Sequence, residues 1–140
     1  MKATLNFSFG QVKMSSRLVD GDYQFSEDES RYNHHYRFMV RISYDGKCRY
    51  FSYWTSYNDW RNAKEKLDES DYKNALNCIL SDSYAAQNTF EDFCSEFGYS
   101  DDSIKALKTY RACKGTAARL NSLFGGLDLS SIQNELEEMM

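Results

Sequence analysis

The chain has no proline and few histidine and glycine residues. Among its 140 residues, none is proline, two are histidine and seven are glycine. Without proline it has no proline-rich linker and no cis-proline turn. No stretch approaches the roughly 18 apolar residues of a membrane span, and the N-terminus lacks the apolar run of a signal peptide. We therefore expect a cytosolic protein without a membrane partner.

Signatures of catalysis and metal binding are also missing. The sequence contains no nucleophile elbow, P-loop, dinucleotide glycine fingerprint or H-E-x-x-H motif. His34 and His35 are adjacent, so on a strand they point to opposite faces and cannot easily share a metal. No C-x-x-C motif is present, and Cys78, Cys94 and Cys113 fall on apolar helix faces, which predicts buried, reduced thiols. The sequence thus predicts a non-enzymatic protein with no metal and no cofactor.

The charge balance limits the partners of the whole surface. The net charge is −4 and the isoelectric point is near 5.2. Non-specific binding of duplex nucleic acid by the whole surface is therefore excluded, although a local basic patch is compatible with this balance. Aromatic residues reach 16%. Aromatic side chains fill small cores and are also favoured at binding surfaces.

The N-terminal part of the chain shows the two-residue alternation of β-strands. Residues 5–9 alternate apolar and polar side chains and predict a half-buried strand, after which Gly10 permits a bend. The dipeptide Asp20-Gly21 predicts a small hairpin turn. The acidic stretch 26–33 has no periodicity and predicts an exposed loop.

The clearest strand signal is a hairpin centred on the Asp-Gly dipeptide at 45–46, which long alternating runs flank. A two-residue loop places Arg41 opposite Tyr50 and Arg37 opposite Trp54. The other face is the predicted core face, with Tyr36, Phe38, Val40, Ile42, Phe51 and Tyr53. The arginine–aromatic face has two interpretations. It is either a cation–π ladder that covers a sheet or a platform on which bases stack while arginine holds phosphate.

Helical periodicity begins after the sheet. Asp68 or Ser70 is placed to cap a first helix that ends near residues 84–88. Its predicted apolar side comprises Tyr72, Ala75, Leu76, Ile79, Leu80 and Ser83. Thr89 is placed to cap a second, short helix, and Gly98 to end it in the left-handed conformation.

Two further helices complete the prediction. Ser100 is placed to cap a long helix, with Asp101 and Asp102 in its first turn. Its apolar stripe comprises Ala106, Tyr110, Cys113, Ala117, Leu120 and Phe124. Ser130 with Gln133 resembles the capping box of a short, glutamate-rich tail helix that docks either on the domain or on a partner. The chain is thus predicted as one α+β domain over 1–140. An antiparallel sheet occupies residues 1–60, and three to four helices occupy residues 68–140.

Charges segregate in the helical part. The carboxylates are Glu91, Asp92, Glu96, Asp101 and Asp102, and the bases that follow are Lys105, Lys108, Arg111, Lys114 and Arg119. One interpretation is complementarity to the helix dipole with a solvated basic face. The other is a helix face for nucleic-acid phosphates or an acidic partner.

The segment from Phe90 to Cys113 reads F-E-D-F-C-S-E-F-G-Y-S-D-D-S-I-K-A-L-K-T-Y-R-A-C. It resembles a pattern found in small proteins of bacteriophages and integrated mobile elements. The resemblance implies a phage-derived protein in the cytoplasm of the bacterial host. It further implies an anti-CRISPR protein that binds a Cas effector ribonucleoprotein, with a Cas9 type favoured, and blocks target DNA binding or cleavage.

The mechanism has two forms under this resemblance. In the first, the carboxylates mimic DNA phosphates in the basic groove of a Cas nuclease; they are Glu91, Asp92, Glu96, Asp101 and Asp102. In the second, basic and aromatic side chains hold nucleic acid directly; they are Arg37, Arg41, Tyr50, Trp54, Lys105, Lys108 and Arg111. The rival functions are a phage accessory protein that binds single-stranded nucleic acid and a module of a phage assembly. The sequence leaves the oligomeric state open.

Overall fold

A computed structural model describes residues 2–24, 34–57, 67–85 and 87–140 and shows the expected α+β arrangement, with four antiparallel strands before four helices. The elements are β1 (Lys2–Phe7), β2 (Gly10–Gln24), β3 (His34–Tyr44), β4 (Lys47–Tyr57), α1 (Glu69–Ala85), α2 (Phe90–Phe97), α3 (Ile104–Phe124) and α4 (Leu129–Met139). The chain divides into two compact units, Met1–Ala75 and Leu76–Met140, and the boundary falls within α1.

The sheet of the first unit is a meander in the order β1-β2-β3-β4, and every neighbouring pair is antiparallel. The first strand ends at Phe7 and not at Phe9 as predicted, and the chain turns at Ser8 and Phe9, just before Gly10, which begins β2 with a φ of +140°. A Cβ added there would lie 3.4 Å from the Tyr44 ring. Glycine is therefore favoured here by backbone conformation and by a close neighbour.

The hairpin between β3 and β4 is confirmed with the predicted register. Asp45 and Gly46 have φ values of 50° and 77°, the positive values that a two-residue type I′ turn requires at both central positions. Tyr44 pairs with Lys47, and the Arg41–Tyr50 and Arg37–Trp54 pairs follow. Because side chains alternate along a strand, this register fixes which residues share each face.

The hairpin turn predicted at Asp20-Gly21 is wrong. Both residues lie inside β2, whose pairing with β3 continues to Tyr23 and beyond. The register shifts between Leu18 and Asp20 and again between Asp20 and Tyr23. The long partner strand holds the chain extended, so the dipeptide produces an irregularity in the ladder instead of a reversal. The acidic stretch 26–33 lies outside the described residues.

One face of the sheet forms the core of the first unit. Its buried residues, with those of the following segment, are Leu5, Phe7, Val12, Met14, Phe38, Val40, Ile42, Phe51, Leu67, Tyr72 and Ala75. Ser16 Oγ and Tyr72 OH share a 2.8 Å hydrogen bond, which joins β2 to the start of α1. Asp68 caps α1, since its carboxylate accepts from Asp71 N at 2.8 Å while Asp71 accepts from Asp68 N at 3.0 Å. This reciprocal pair selects Asp68 over Ser70.

In the second unit, the predicted short helix α2 is confirmed at both ends. Thr89 caps it by accepting from Asp92 N, and Gly98 ends it with φ 74°. The predicted start of α3 is wrong by three residues, because Ser103 is the N-cap and accepts from Ala106 N at 3.1 Å. The Ser100 hydroxyl instead donates to Asp102, in a turn that precedes the helix. Asp101 and Asp102 therefore lie before α3, not in its first turn.

The tail helix α4 docks within the second unit, with Ile132 and Leu136 buried. The capping box predicted at Ser130 and Gln133 is wrong, because Asp128 is the N-cap and accepts from Ser130 N at 3.1 Å. A carboxylate also suits the helix dipole. The side chains of the predicted box bind α1 instead: Tyr84 OH donates to Ser130 Oγ at 2.7 Å, and Gln133 Nε2 donates to Asn77 and Ser81 at 2.9 and 3.1 Å.

All four cysteines are free thiols. Burial is confirmed for Cys94 and Cys113 and is wrong for Cys78, whose side chain is exposed. On a helical wheel Cys78 falls about 60° outside the apolar arc that Tyr72, Ala75 and their neighbours form on α1. Proximity to apolar residues in sequence was therefore a poor guide to its burial.

Candidate functional site

The face of the sheet opposite the core, called the outer face here, is polar and largely exposed. It consists of Lys2, Thr4 and Asn6 from β1; Gln11, Lys13, Ser15 and Arg17 from β2; Arg37, Met39, Arg41 and Ser43 from β3; and Cys48, Tyr50, Ser52 and Trp54 from β4. This set holds five cations, and Asp20 of β2 is the ladder partner of one of them, Arg37. A protein with a net charge of −4 thus presents a strongly basic surface here.

Aromatic side chains stand beside arginines on the β3–β4 part of the outer face. Trp54 is 43% exposed, and Arg37 Cζ lies 5.7 Å from its ring centroid, within cation–π distance. Tyr50 is 55% exposed and pairs with Arg41. A hydrogen bond with the Cys48 side chain, followed by the charges of Cys48 and Tyr50 when ionised, raises the pKa of Arg41. Arg41 therefore remains a cation at any working pH.

A second group of cations surrounds Ser15 on the β1–β2–β3 part of the outer face. Lys2 and Arg41 are the partners of Ser15 on the two neighbouring strands, about 4.8 Å away on each side. Lys13 and Arg17 lie two residues before and after it on β2. The cluster borders a shallow pocket of about 160 Å³. The pocket is lined by Lys2, Ala3, Thr4, Lys13, Met14, Ser15, Arg41 and Ser43.

The predicted basic residues therefore fall on different parts of the molecule. Arg37, Arg41, Tyr50 and Trp54 share the outer face of the first unit. Lys105, Lys108 and Arg111 lie exposed on α3 in the second unit. The aromatic side chain among them, Tyr110, is only 7% exposed, and its hydroxyl donates to the Asn88 carbonyl at 2.6 Å. The α3 face thus offers charge without a stacking surface.

The five predicted carboxylates are all exposed; they are Glu91, Asp92, Glu96, Asp101 and Asp102. Burial, then the charges of Asp101 and Glu91, raises the pKa of the Cys94 thiol, so both carboxylates lie close enough to this thiol to act on it. The same segment exposes two large apolar side chains, Phe97 at 49% and Ile104 at 72%. Exposed apolar groups near charged side chains are typical of protein-binding surfaces.

Sequence reasoning missed the cations of β1 and β2. Lys13 lies between the apolar residues Val12 and Met14, and Arg17 lies four positions further on the same strand face. This is the period-2 pattern of a half-buried strand. That pattern was available in the sequence, but placing Lys13 and Lys2 beside Arg41 required the register of three strands. The arginine–aromatic pairs were predictable because a two-residue turn fixes their register.

Comparison with protein-family models, curated proteins and solved structures finds no match to this chain. No helix within the described residues combines the length and apolar character needed to cross a bilayer. Within the same residues, no group of three or more histidine, cysteine, aspartate or glutamate side chains is arranged to hold a metal ion. The two candidate binding surfaces are therefore the outer face of the sheet and the exposed carboxylates with Phe97 and Ile104.

Proposed function

We propose that the protein binds single-stranded nucleic acid through the outer face. The observation that carries this proposal is the pair of exposed aromatics, Tyr50 and Trp54, each directly opposite an arginine on a face with five described cations. Bases of any identity stack on aromatic rings, and each such contact is worth about 1–3 kcal/mol. Arg41 and Arg37 stand where the phosphates that link stacked bases would pass.

The spacing of the aromatics favours an unstacked strand. Tyr50 and Trp54 lie on one strand face four residues apart, a distance of roughly 13 Å at the usual rise per residue. Consecutive bases in a duplex strand rise by only about 3.4 Å. Bases held at both rings are therefore separated from one another, as they are in a single strand that lies along a protein surface.

Duplex DNA fits this face poorly. Four strands spaced about 4.8 Å apart span roughly 14 Å between the outer two, which exceeds the width of a major groove, about 12 Å. A sheet of this width cannot insert to read base edges. A flexible single strand can follow the basic face and expose its bases to the rings.

The test is a fluorescence-anisotropy titration with a labelled single strand of about 16 nucleotides, repeated over a range of salt concentrations. The variant Arg37→Ala with Trp54→Ala is expected to weaken binding at least tenfold while the circular-dichroism spectrum is retained. Lys47→Ala is the matched control, because Lys47 is an exposed cation of β4 whose register places it on the opposite face. Unchanged binding by the double variant would remove the proposal.

A second candidate function is inhibition of a Cas effector, as the resemblance to phage proteins implies. It is favoured by the exposure of all five carboxylates beside Phe97 and Ile104, a combination that suits a basic protein groove. A pull-down of Cas9–guide RNA by the tagged protein, with and without target DNA, tests it. Capture that target DNA abolishes supports a DNA mimic. Inhibition that persists after the five carboxylates are neutralised rules the mimic out.

A further inference from the structure

The shallow pocket beside Ser15 has the chemistry of an anion site. Lys2 and Lys13, both exposed, line it from β1 and β2, and Arg41 lines it from β3. Three hydroxyl residues, Thr4, Ser15 and Ser43, also line it, together with Ala3 and Met14. No carboxylate is among the lining residues, so the positive charges are not neutralised from within the pocket. Lysine, arginine and hydroxyl side chains are the usual donors to phosphate oxygens.

We propose that this pocket holds a phosphate monoester, the group found at the end of a nucleic-acid strand or on a free nucleotide. A monoester carries a charge of about −1.5 to −2 at neutral pH and three strong acceptor oxygens, whereas a linking phosphodiester carries a single charge. Three cations, Lys2, Lys13 and Arg41, match the greater charge. The proposal rests on the proposed function of the outer face, which it extends from the phosphates along a strand to the phosphate at its end.

The pocket is continuous with the stacking surface through Arg41. This residue lines the pocket and also pairs with exposed Tyr50 on β4. A terminal nucleotide can therefore place its phosphate among Lys2, Lys13 and Arg41 while its base stacks on Tyr50. The remainder of the strand would then follow β4 towards Trp54. The pocket thereby gives the bound strand a fixed end and a direction.

The experiment compares one labelled single strand with a 5′-phosphate, a 3′-phosphate or hydroxyl groups at both ends. One phosphorylated form is expected to bind about tenfold more tightly than the hydroxyl form, the difference made by charge-assisted hydrogen bonds. In Lys13→Gln this advantage is expected to disappear. Lys47→Gln, which removes the same charge from the opposite face, is expected to retain it. Equal affinity of all three strands for the wild-type chain overturns the assignment of the pocket to a strand end and leaves the proposed function standing.

A second measurement separates the two sources of the phosphate group. Inorganic phosphate is titrated into the protein while the backbone amide signals of Thr4, Ser15 and Ser43 are followed by NMR. Saturable shifts that Lys13→Gln abolishes, in a protein that binds none of the strands, would assign the pocket to a free phosphate compound and reject the proposed function. Absence of saturable shifts, together with equal strand affinities, rejects the pocket.

Discussion

Among the residues that the structure describes, two surfaces are rich in cations, and one of them also exposes aromatic rings. The outer face of the sheet combines Lys13, Arg37 and Arg41 with exposed aromatic rings and with a pocket. The face of α3 presents Lys105 and Lys108 with their neighbours as a solvated row. The difference shows that counting charges is insufficient, because a binding surface also requires groups that recognise what the charge attracts.

Backbone geometry explains why the two surfaces differ. On a sheet, side chains from neighbouring strands stand about 4.8 Å apart, so residues far apart in sequence, such as Lys2 and Arg41, meet around Ser15. On a single helix, cations spaced along one face repel each other and point into water. The α3 aromatic Tyr110 packs inwards, and Lys114 Nζ lies 5.1 Å above its ring centroid. That cation therefore covers the core of the second unit.

The largest expected effect is a loss of single-strand affinity when the exposed aromatics of the outer face are removed. If affinity is unchanged, the outer face and the α3 face do not differ as argued above. Replacing Tyr50 and Trp54 together by alanine removes two stacking surfaces, worth about 1–3 kcal/mol each. We expect single-strand affinity to fall by at least about 30-fold, while phenylalanine at both positions retains most of it. Anisotropy titration measures both. A variant with Lys105, Lys108 and Arg111 changed to glutamine removes the positive charge from this part of α3 and is expected to bind the strand like the wild type. A comparable loss of affinity in this variant would place the interface on α3.

The next effect concerns salt. Replacing Lys13 and Arg17 by glutamine removes two phosphate contacts, which is expected to reduce the slope of log K against log salt by about 1.4 for a single strand. Replacing Lys105 and Lys108 in the same way removes equal charge from α3 and is expected to leave the slope unchanged. Equal changes in both pairs would show that the cations act only through net charge.

A smaller effect tests the placement of α3 itself. Ser103→Ala removes the side chain that accepts from Ala106 N and is expected to lower the free energy of unfolding by about 1 kcal/mol. Ser100→Ala removes a hydroxyl whose partner is Asp102 in the preceding turn and is expected to cost only a few tenths of that amount. Chemical denaturation measures both variants. A larger loss of stability in Ser100→Ala than in Ser103→Ala would show that the helix begins at Ser100.

The two serines also show how far sequence reasoning extends. Strong local signals were predictable, namely the turn at Asp45-Gly46, the cap at Thr89 and the stop at Gly98. Each depends on one residue whose backbone preference or side-chain acceptor acts within a few positions. The sequence S-D-D-S instead offers two equivalent caps, and the choice depends on the hydrogen bonds that each serine makes in the folded chain.

The candidate site divides in the same way. The arginine–aromatic pairs follow from one hairpin, so they could be predicted from a single turn. The pocket beside Ser15 requires three strands in register, and β2 also contains an Asp-Gly dipeptide that predicts a reversal where none exists. Long-range pairing overrides such a local preference, because the gain from a continuous ladder and a buried face exceeds the preference of one turn.

The smallest expected effect lies in the second unit and depends on pH. Burial, followed by the charges of Asp101 and Glu91, raises the pKa of the Cys94 thiol above its ordinary value of 9.0, and its Sγ donates to the Ser100 carbonyl at 3.8 Å. Below pH 9 both the folded and the unfolded chain hold this proton. As the pH rises further, the unfolded chain ionises first, so it binds fewer protons and stability falls until the folded pKa is passed.

Cys94→Ala is therefore expected to flatten the alkaline fall of the thermal midpoint, even though it lowers stability at neutral pH through the lost packing. Asp101→Asn retains the thiol and removes one of the charges that raise its pKa, so it is expected to flatten the fall partially. Thermal melts from neutral pH to above pH 9 measure both. A fall as steep in Cys94→Ala as in the wild type would show that another group causes the loss of stability at alkaline pH.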